Sequence, residues 1–366
     1  MHAVLLKDEH AYLAHAHLAR VGSDLLTVFN CAPRRAFVLH PPEDPLFRNY
    51  LIRSSDEGAT WSAPVVVPDF AWSGVECAGL TDLGGGRAML NQWRFDWYPL
   101  PAARKRDPRG LVFPDRLAAA HLASKEHETS ALATVPAERL MPWARGGGST
   151  WIHLSDDGGQ TWPVSMEIDT GSFSGGYGMR GGVVLPDRTI LLPLSDVPYY
   201  ESVFVVRSTD GGLTWSAPIT AAAVPGRLFE EPAPLLLPDG RVLLHLRDNI
   251  SRTLWQTHSS DGGLTWSTPE PTGIDGYPGH LCPLPDGTIL CTYGFRREPF
   301  SIRAVLSHDG GRRWTAADPI IIRDDLPSLD LGYPCTARLA DGDLLTAYYA
   351  RGRDGITCLQ TTRWSL

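Results

Sequence analysis

The sequence predicts an all-β protein folded as a single six-bladed β-propeller. Two interleaved repeats carry this prediction. The first is the turn Ser-x-Asp-x-Gly-x-Thr-Trp, named here the Ser-Asp turn; its last copy has Arg313 in place of the Thr. The second is a hairpin of two apolar strands joined by an Asp-Gly-type turn. The Ser-Asp turns occupy residues 54–61, 155–162, 208–215, 259–266 and 307–314, and the hairpins centre near residues 23, 85, 187, 239, 286 and 341.

Each residue of the Ser-Asp turn suits a tight loop. An Asp carboxylate accepts N–H bonds from the residues that follow it. The Gly adopts the positive φ that other residues resist, and the Trp supplies a large apolar anchor between neighbouring sheets. Because five near-identical turns cannot all line one active site, we interpret these Asp residues as structural.

The two repeats alternate, so one unit contains four strands with a hairpin between the first two and a Ser-Asp turn between the last two. The last four units are spaced by roughly 50 residues, which is typical of a propeller blade. The sixth unit ends after its third strand, residues 355–364, and we expect residues 3–6 to supply its fourth strand and close the ring. The whole chain, 1–366, is then one domain.

The second unit is longer by roughly 50 residues. We assign the excess to an insertion at about 97–149, with an Ala-rich stretch, 115–131, that could be helical. A long insertion in a compact array is usually functional or mobile. Two interpretations stay open: a surface excursion, or a wall over the mouth of the propeller.

Composition excludes several classes of function. The net charge of −8 lacks the basic excess that is typical of a nucleic-acid-binding domain. No apolar run approaches membrane-spanning length, and the first ten residues lack the core of a signal peptide, so we expect a cytoplasmic protein. The six cysteines lack CxxC spacing and are expected to be reduced; we expect no bridge between Cys282 and Cys291. The sequence has no evident set of metal-ligand residues at a typical spacing and no phosphate-binding loop, so we expect no cofactor. The Gly runs 84–86 and 146–148 are interpreted as turns. The oligomeric state stays open.

Active sites of propellers lie at the central mouth, where the first strand of each unit begins and the second ends. We find candidate site residues by counting along the sequence from the Asp of each hairpin turn to the mouth ends of the strands. Glu231 and Arg247 lie eight residues before and after Asp239. Tyr333 lies eight residues before Asp341, and Arg296, followed by Arg297, lies ten after Asp286.

The Ser-Asp turns are identified as the Asp boxes of the sialidase (neuraminidase) superfamily, whose architecture is a six-bladed propeller. The resemblance covers essentially the whole chain. The stretch from Glu231 to Arg247 resembles the sialidase segment that carries a Glu and, some fifteen residues later, an Arg. Tyr333 resembles the nucleophile of the family's Tyr-Ser stretch, with Pro334 in place of the Ser.

The resemblance also implies a substrate clamp and an acid. Arg296, or alternatively Arg297, falls where a clamp arginine is expected. Asp44 precedes Arg53-Ser54 by nine residues, as the family's acid/base Asp precedes its Arg-Ser. Arginines bind a sugar carboxylate through paired hydrogen bonds, and a neutral Tyr is not repelled by that carboxylate as a carboxylate nucleophile would be. Glu231 would take the Tyr333 proton and Asp44 would protonate the leaving oxygen, with retention as the outcome.

The sequence also departs from the family pattern. The first strand, 11–19, contains no Arg for the third member of the clamp, and Arg20 comes only after it. Several residues could substitute for that arginine or supply the acid in place of Asp44. The substitutes for the arginine are His15, His17, Arg34, Arg35 and His40. The substitutes for the acid are Glu43 and His40. Three further residues at the mouth ends of strands could contact substrate: Arg180, Glu76 and Asp196.

These observations predict a retaining exo-glycoside hydrolase of sialidase type that releases a terminal acidic sugar through a Tyr nucleophile. Its partner would be an acidic glycan or small sugar. Two alternatives stay open. One is a propeller that cleaves a uronic-acid glycan by His-dependent elimination or hydrolysis, and the other is a carbohydrate-binding propeller without turnover.

Overall fold

A computed structural model of the chain describes residues 1–35, 43–68, 73–124 and 134–366, and the side chains of 73–77 and 120–124 lie outside the description. Six antiparallel sheets follow one another along the chain. The first three blades are formed by strands β2 to β14. Blade one contains β2 (Ala11–Val21), β3 (Asp24–Pro33), β4 (Arg48–Ser54) and β5 (Val65–Val66); blade two contains β6 (Ser73–Gly84), β7 (Arg87–Pro99), β8 (Trp143–Ser155) and β9 (Val164–Glu167); blade three contains β10 (Gly176–Tyr177), β11 (Val183–Val184), β12 (Ile190–Asp196), β13 (Ser202–Ser208) and β14 (Ile219–Ala223).

The second half of the ring repeats the four-strand pattern, and the sixth sheet takes its outer strand from the N-terminus. Blade four contains β15 (Phe229–Leu236), β16 (Val242–Asp248), β17 (Thr253–Ser259) and β18 (Glu270–Pro271); blade five contains β19 (Gly279–Pro283), β20 (Ile289–Phe295), β21 (Ser301–Ser307) and β22 (Ile320–Arg323); blade six contains β23 (Leu331–Arg338), β24 (Leu344–Arg351), β25 (Thr357–Trp364) and β1 (His2–Leu6). The predicted six-bladed propeller is confirmed.

The predicted ring closure is also confirmed. Strand β1 pairs antiparallel with β25, with His2 opposite Thr362 and Val4 opposite Gln360. The backbone N–H of Arg363 donates to the carbonyl of Met1 at 2.9 Å. Blade six is therefore built from both ends of the chain, and the ring has no unpaired gap between its first and last sheets.

Each Ser-Asp turn joins the third and fourth strands of a blade, and its hydrogen bonds are those expected from its residues. In blade three, Asp210 accepts hydrogen bonds from the N–H and the hydroxyl of Thr214 at 2.9 and 2.5 Å. Ser208 Oγ accepts the N–H of Gly212 at 2.9 Å. The half-buried Trp215 packs against an apolar cluster that joins blades two and three. These Asp residues are structural, because their oxygens are occupied within the turns.

The insertion in blade two is shorter than the sequence suggests, because β7 and β8 remain paired as far as Pro99 and Trp143. The excursion therefore spans residues 100–142. It contains helices α1 (Leu100–Ala103), α2 (Pro114–Ser124) and α3 (Ala137–Leu140). The predicted helical stretch 115–131 agrees with α2 as far as Ser124, and its residues 125–131 lie outside the described part of the chain.

The interpretation of both glycine runs as turns is wrong for the second run. Gly84, Gly85 and Gly86 have positive φ in the hairpin turn, whereas residues 146–148 lie within β8. Gly148, together with Gly175, leaves room for the indole ring of Trp93, which a Cβ at either position would overlap. Glycine at these positions thus permits a buried Trp between two strands.

The five cysteines with described side chains, Cys31, Cys282, Cys291, Cys335 and Cys358, are free. Cys282 and Cys291 lie on the paired strands β19 and β20. No helix in the described part of the chain combines the length and the apolarity that crossing a bilayer requires.

The Ser-Asp turns predict acid sensitivity. Hydrogen bonds from the Thr214 hydroxyl and N–H lower the pKa of Asp210 from 3.8 to about 2. A lowered folded-state pKa stabilises the fold above the unfolded pKa, and this stabilisation is lost as pH falls towards the folded value. We expect the urea midpoint of Asp210→Asn to fall less than that of the wild type between about pH 4.5 and pH 2.5. Asp318→Asn, at an exposed position outside the turns, is the control; equal losses in both variants would contradict this role.

Candidate active site

Three inner strands carry the same backbone irregularity at the mouth of the ring. Pairing shifts register between Ala14 and His17 in blade one, between Glu230 and Ala233 in blade four, and between Gly332 and Cys335 in blade six. Such bulges redirect a side chain relative to the regular strand. The redirected residues are His15, Glu231 and Tyr333.

These three residues have φ values of +53°, +54° and +55°. A non-glycine residue in this left-handed region costs roughly 1–3 kcal/mol and persists only where the surroundings impose it. All three side chains are buried, at 2 to 3% exposure. The shared strain explains why Glu231 and Tyr333 have the same offset from their hairpins, which is the signal that identified them in the sequence.

Glu231 and Tyr333 meet although they are 102 residues apart. The Tyr333 hydroxyl donates to Glu231 Oε1 at 2.5 Å. Arg247, from the end of β16, holds the same carboxylate, with Nη1 at 3.3 and 3.2 Å from its two oxygens. Glu231 is therefore placed to receive the Tyr333 proton, and Arg247 compensates the carboxylate charge in a buried setting.

Arg296 approaches from the end of β20 in blade five. Its Nε donates to the carbonyl of Leu331 at 2.9 Å and its Nη2 donates to the Tyr349 hydroxyl at 3.1 Å. Its Cζ lies 5.5 Å from the ring centres of both Tyr333 and Tyr277, and Arg247 Cζ lies 4.2 Å from that of Tyr277. Two guanidinium groups thus converge beside Tyr333. Nη1 of Arg296 is buried and has no hydrogen-bond partner among the described residues.

The alternative clamp residue Arg297 has different contacts. Its side chain is exposed, pairs with Asp275, and lies over the ring of Phe295 with Cζ at 5.2 Å. None of these contacts joins it to Tyr333, so the structure brings Arg296 into the cluster and leaves Arg297 at the surface.

The acid candidates lie on the loop between β3 and β4, and the described contacts do not join them to Tyr333. Asp44 is 2% exposed; Arg35 Nε donates to it at 2.7 Å and the N–H of Leu46 at 2.8 Å. Glu43 pairs with Arg145 at 3.1 Å. His40 lies outside the described residues.

The same loop packs on the base of the insertion. The Trp143 indole donates to the carbonyl of Glu43 at 2.8 Å, and Arg35 Cζ lies 5.5 Å from the Trp143 ring. This loop and residues 100–142 both join the second and third strands of their blades, so they lie on the face of the ring where the inner strands begin. The described parts of both connections therefore lie on the mouth face of the ring, and we name them together the wall.

His15, one of the candidates to replace the missing clamp arginine, is the one that contacts Tyr333 in the described part of the chain. Its ring lies 4.4 Å from that of Tyr333, edge to face. Burial lowers the pKa of His15 to about 3, opposed by the hydrogen bond to Asn30, and the charges of Arg296, Arg180 and Arg247 lower it further. A neutral imidazole cannot form an ion pair with a carboxylate, so His15 would not replace an arginine in that role.

The tautomer of His15 is set by a chain of buried side chains that the sequence did not reveal. Asn30 Nδ2 donates to Asn49 Oδ1, whose Nδ2 donates to Gln92 Oε1 at 2.9 Å. Gln92 Nε2 donates to Nε2 of His153 at 2.8 Å, and burial lowers the pKa of His153 to about 4. Because every amide in the chain is oriented, Asn30 presents its oxygen to His15 Nδ1 at 2.7 Å. Nδ1 of His15 therefore carries the proton.

The remaining mouth-end candidates are not part of the Tyr333 cluster in the described contacts. Arg180 is 5% exposed and lies among His17, His280 and Cys335, whose pKa values its charge affects. Burial raises the pKa of Asp196 at the end of β12. Glu76 has its backbone in β6, and its side chain lies outside the description.

Comparisons with known proteins agree with this architecture. Residues 131–346, more than half of the chain, match the family described as BNR repeat-like domain. A protein of unknown function from Dyadobacter fermentans superposes with a TM-score of 0.82 at 21% identity, covering 100% of this chain and 98% of that one. The NanB sialidase of Streptococcus pneumoniae, as a K499G mutant, gives 0.70 at 11% identity, with 99% and 70% covered. The intramolecular trans-sialidase of Ruminococcus gnavus gives 0.63 at 15% identity, with 100% and 96% covered. No curated protein matches the chain.

These identities establish a shared fold, and the resemblance of the sequence to the sialidase superfamily is confirmed at that level.

The buried pair of Glu231 and Arg247 predicts a large stability difference between two substitutions. Glu231→Gln leaves the Arg247 charge without its main partner, and we expect a loss of about 3 kcal/mol in the free energy of unfolding. Tyr333→Phe removes one hydrogen bond and should cost about 1 kcal/mol. Urea unfolding measures both. Adding Arg247→Met to Glu231→Gln should recover stability; equal, small losses in the two single variants would contradict a buried charge pair.

Proposed function

We propose that this chain, which belongs to the BNR repeat-like domain family, is a retaining exo-glycoside hydrolase that releases a terminal acidic sugar such as sialic acid. The observation that carries this proposal is the buried hydrogen bond of 2.5 Å from the Tyr333 hydroxyl to Glu231, with two arginines beside it.

The charges around Tyr333 suit an anionic sugar. Arg247 lies 3.2 Å from Glu231 and 3.8 Å from Glu230, whereas Arg296 has no ion pair among the described residues. Guanidinium groups bind carboxylates through planar, paired hydrogen bonds. A carboxylate placed between these arginines would bring the neighbouring anomeric carbon towards Tyr333. A neutral nucleophile suits this arrangement, because a carboxylate nucleophile would be repelled by the sugar's own charge.

The reaction would proceed in two displacements. In the first, Tyr333 Oη bonds to the anomeric carbon while its proton passes to Glu231, and the bond to the leaving oxygen breaks as Asp44 protonates that oxygen. In the second, water gives a proton to Asp44 and attacks the anomeric carbon. The bond to Tyr333 breaks, and Glu231 returns the proton to the phenolate. Two inversions give net retention.

The wall built by blades one and two supports an exo mode of attack. It stands beside the mouth on the side of the loop that carries Asp44. A chain end can enter beside such a wall, whereas a polymer lying across the mouth would meet it. Asp44 can protonate the leaving oxygen only if its loop and the substrate come together. Protonating that oxygen is the role we assign to Asp44.

A second candidate function follows from His15. Its ring adjoins Tyr333, and a His–Tyr pair suits elimination from a uronic acid. There the base removes the proton beside the carboxylate, a C=C bond forms, and the glycosidic oxygen leaves. The pKa of about 3 makes His15 a weak base at neutral pH, so the Tyr333–Glu231 pair favours hydrolysis.

Replacing the nucleophile tests the proposal. Tyr333→Phe keeps the ring packing and removes the attacking oxygen, so we expect kcat on a fluorogenic acidic sugar to fall by at least about 100-fold. Tyr349→Phe, which removes a neighbouring buried hydroxyl, is the matched control and should retain more activity. Full activity in Tyr333→Phe would exclude this nucleophile, an ultraviolet-absorbing unsaturated product would favour the lyase, and binding without turnover would favour a carbohydrate-binding propeller.

Asp44 is tested by varying the leaving group. An Asp44→Asn variant cannot donate a proton, so its loss of kcat/KM should be about 100-fold or more on a sugar with a poor leaving group. The loss should be small on an activated aryl glycoside, which needs no protonation. Glu43→Gln is the matched control. Equal losses on both substrates would remove Asp44 from the acid role and leave Glu43 and His40 as candidates.

A further inference from the structure

A second polar cluster lies on the ring axis beyond the Tyr333 site. It contains His17 of blade one, Arg180 of blade three, His280 of blade five and Cys335 of blade six. His17 and Cys335 lie two residues farther along their strands than His15 and Tyr333, so the cluster is farther from the mouth than Tyr333 is. One ring nitrogen of each histidine and Sγ of Cys335 lie within 4.8 Å of one another.

These residue types resemble a metal site, but their hydrogen bonds point to another ligand. Nδ1 of His17 accepts the N–H of Leu80 at 2.9 Å, and Nδ1 of His280 accepts the N–H of Thr336 at 3.2 Å. A backbone N–H only donates, so both Nδ1 atoms are unprotonated and the neutral rings carry their hydrogen on Nε2. A cation would therefore meet two N–H groups beside the positive Arg180.

The groups around Arg180 are neutral. Burial, reinforced by the Arg180 charge, lowers the pKa of His17 to about 3, and the same two effects hold the pKa of His280 well below its usual value. Burial raises the pKa of the Cys335 thiol to about 11, and this thiol donates to the carbonyl of Leu18 at 3.0 Å. Among the side chains that the structure describes, the cluster therefore carries the charge of Arg180 alone.

Arg180 is 5% exposed, and apart from a weak contact with the Cys335 sulfur its Nε, Nη1 and Nη2 atoms have no hydrogen-bond partner among the described residues. A buried guanidinium without a counter-charge is costly, because desolvation is not repaid. Its unsatisfied N–H groups add to that cost. The cluster thus combines a positive charge with N–H donors on two neighbouring imidazoles.

We propose that a small monovalent anion of the size of chloride binds on the ring axis between Arg180, His17 and His280. The anion compensates the buried charge and accepts the N–H groups of all three side chains. It also moderates the positive potential that Arg180 adds beneath Tyr333. This site does not depend on hydrolysis, and its test needs no substrate.

Thermal unfolding of the full chain tests the site, with sodium chloride exchanged for sodium gluconate at constant ionic strength. The wild type should show a saturable rise in Tm with chloride, because a ligand that binds only the folded state stabilises it. Arg180→Gln should lose this response and, without chloride, unfold at or above the wild-type Tm, since the unpaired charge is gone. Arg87→Gln, which breaks a surface pair with Asp156, should keep the response.

Crystals of the wild type grown in sodium bromide give a second measurement, independent of how the variants fold. We expect one anomalous bromide peak in contact with Arg180 and the two histidines. Three results would overturn the proposal. The first is the absence of a bromide peak at the cluster together with a Tm that does not depend on chloride. The second is a soaked acidic sugar whose carboxylate contacts Arg180, since the cluster would then be part of the sugar site, and the third is stoichiometric zinc bound by the histidines.

Discussion

Closure of the ring is the constraint on which the site depends. Strand β1 completes blade six by pairing with β25, and this brings blades six and one together as neighbours. Apart from the pair of Glu231 and Arg247 within blade four, the main contacts of the Tyr333 cluster cross blades. Tyr333 of blade six donates to Glu231 of blade four, Arg296 of blade five contacts Tyr349 of blade six, and His15 of blade one packs on Tyr333. The Tyr333 cluster therefore forms only when blades four, five, six and one are in register around one axis.

Two guanidinium groups near that axis lack an ion pair among the described residues. At the mouth, Arg247 pairs with Glu231 and Glu230 but Arg296 pairs with no carboxylate, and the nearby His15 is neutral because burial lowers its pKa. Farther along, Arg180 is surrounded by neutral imidazoles and a thiol. In a protein with a net charge of −8, Arg296 and Arg180 thus have no ion pair among the described residues. Both proposals follow from this: an acidic sugar at the mouth, and a small anion beyond it.

Sequence reasoning predicted the fold and part of the site for a physical reason. The Ser-Asp turns fix the strand register, and register fixes the distance from a hairpin to the mouth. Glu231 and Tyr333 share an offset because both occupy the same strained bulge. Arg296 was identified by the same counting, which could not separate it from Arg297, because the direction of adjacent side chains depends on packing against Leu331 and Tyr349.

The rest of the site depends on contacts between residues distant in the chain. The hydrogen-bonded series of Asn30, Asn49, Gln92 and His153 joins four strands of two blades, and no local sequence pattern predicts it. The axial cluster draws one residue from each of four blades. Its preference for an anion follows from which nitrogen of each histidine accepts a backbone N–H, and that is a property of the folded backbone.

The central claim is that Tyr333 forms a covalent bond to the sugar, and mass spectrometry of a trapped intermediate tests it most directly. A fluorine-substituted acidic sugar with a fluoride leaving group reacts with a retaining enzyme and turns over slowly. We predict that the protein gains the mass of one sugar and that peptide fragmentation places it on the Tyr333 side chain. Turnover of the reagent with no adduct, or an adduct on another residue, would contradict the account.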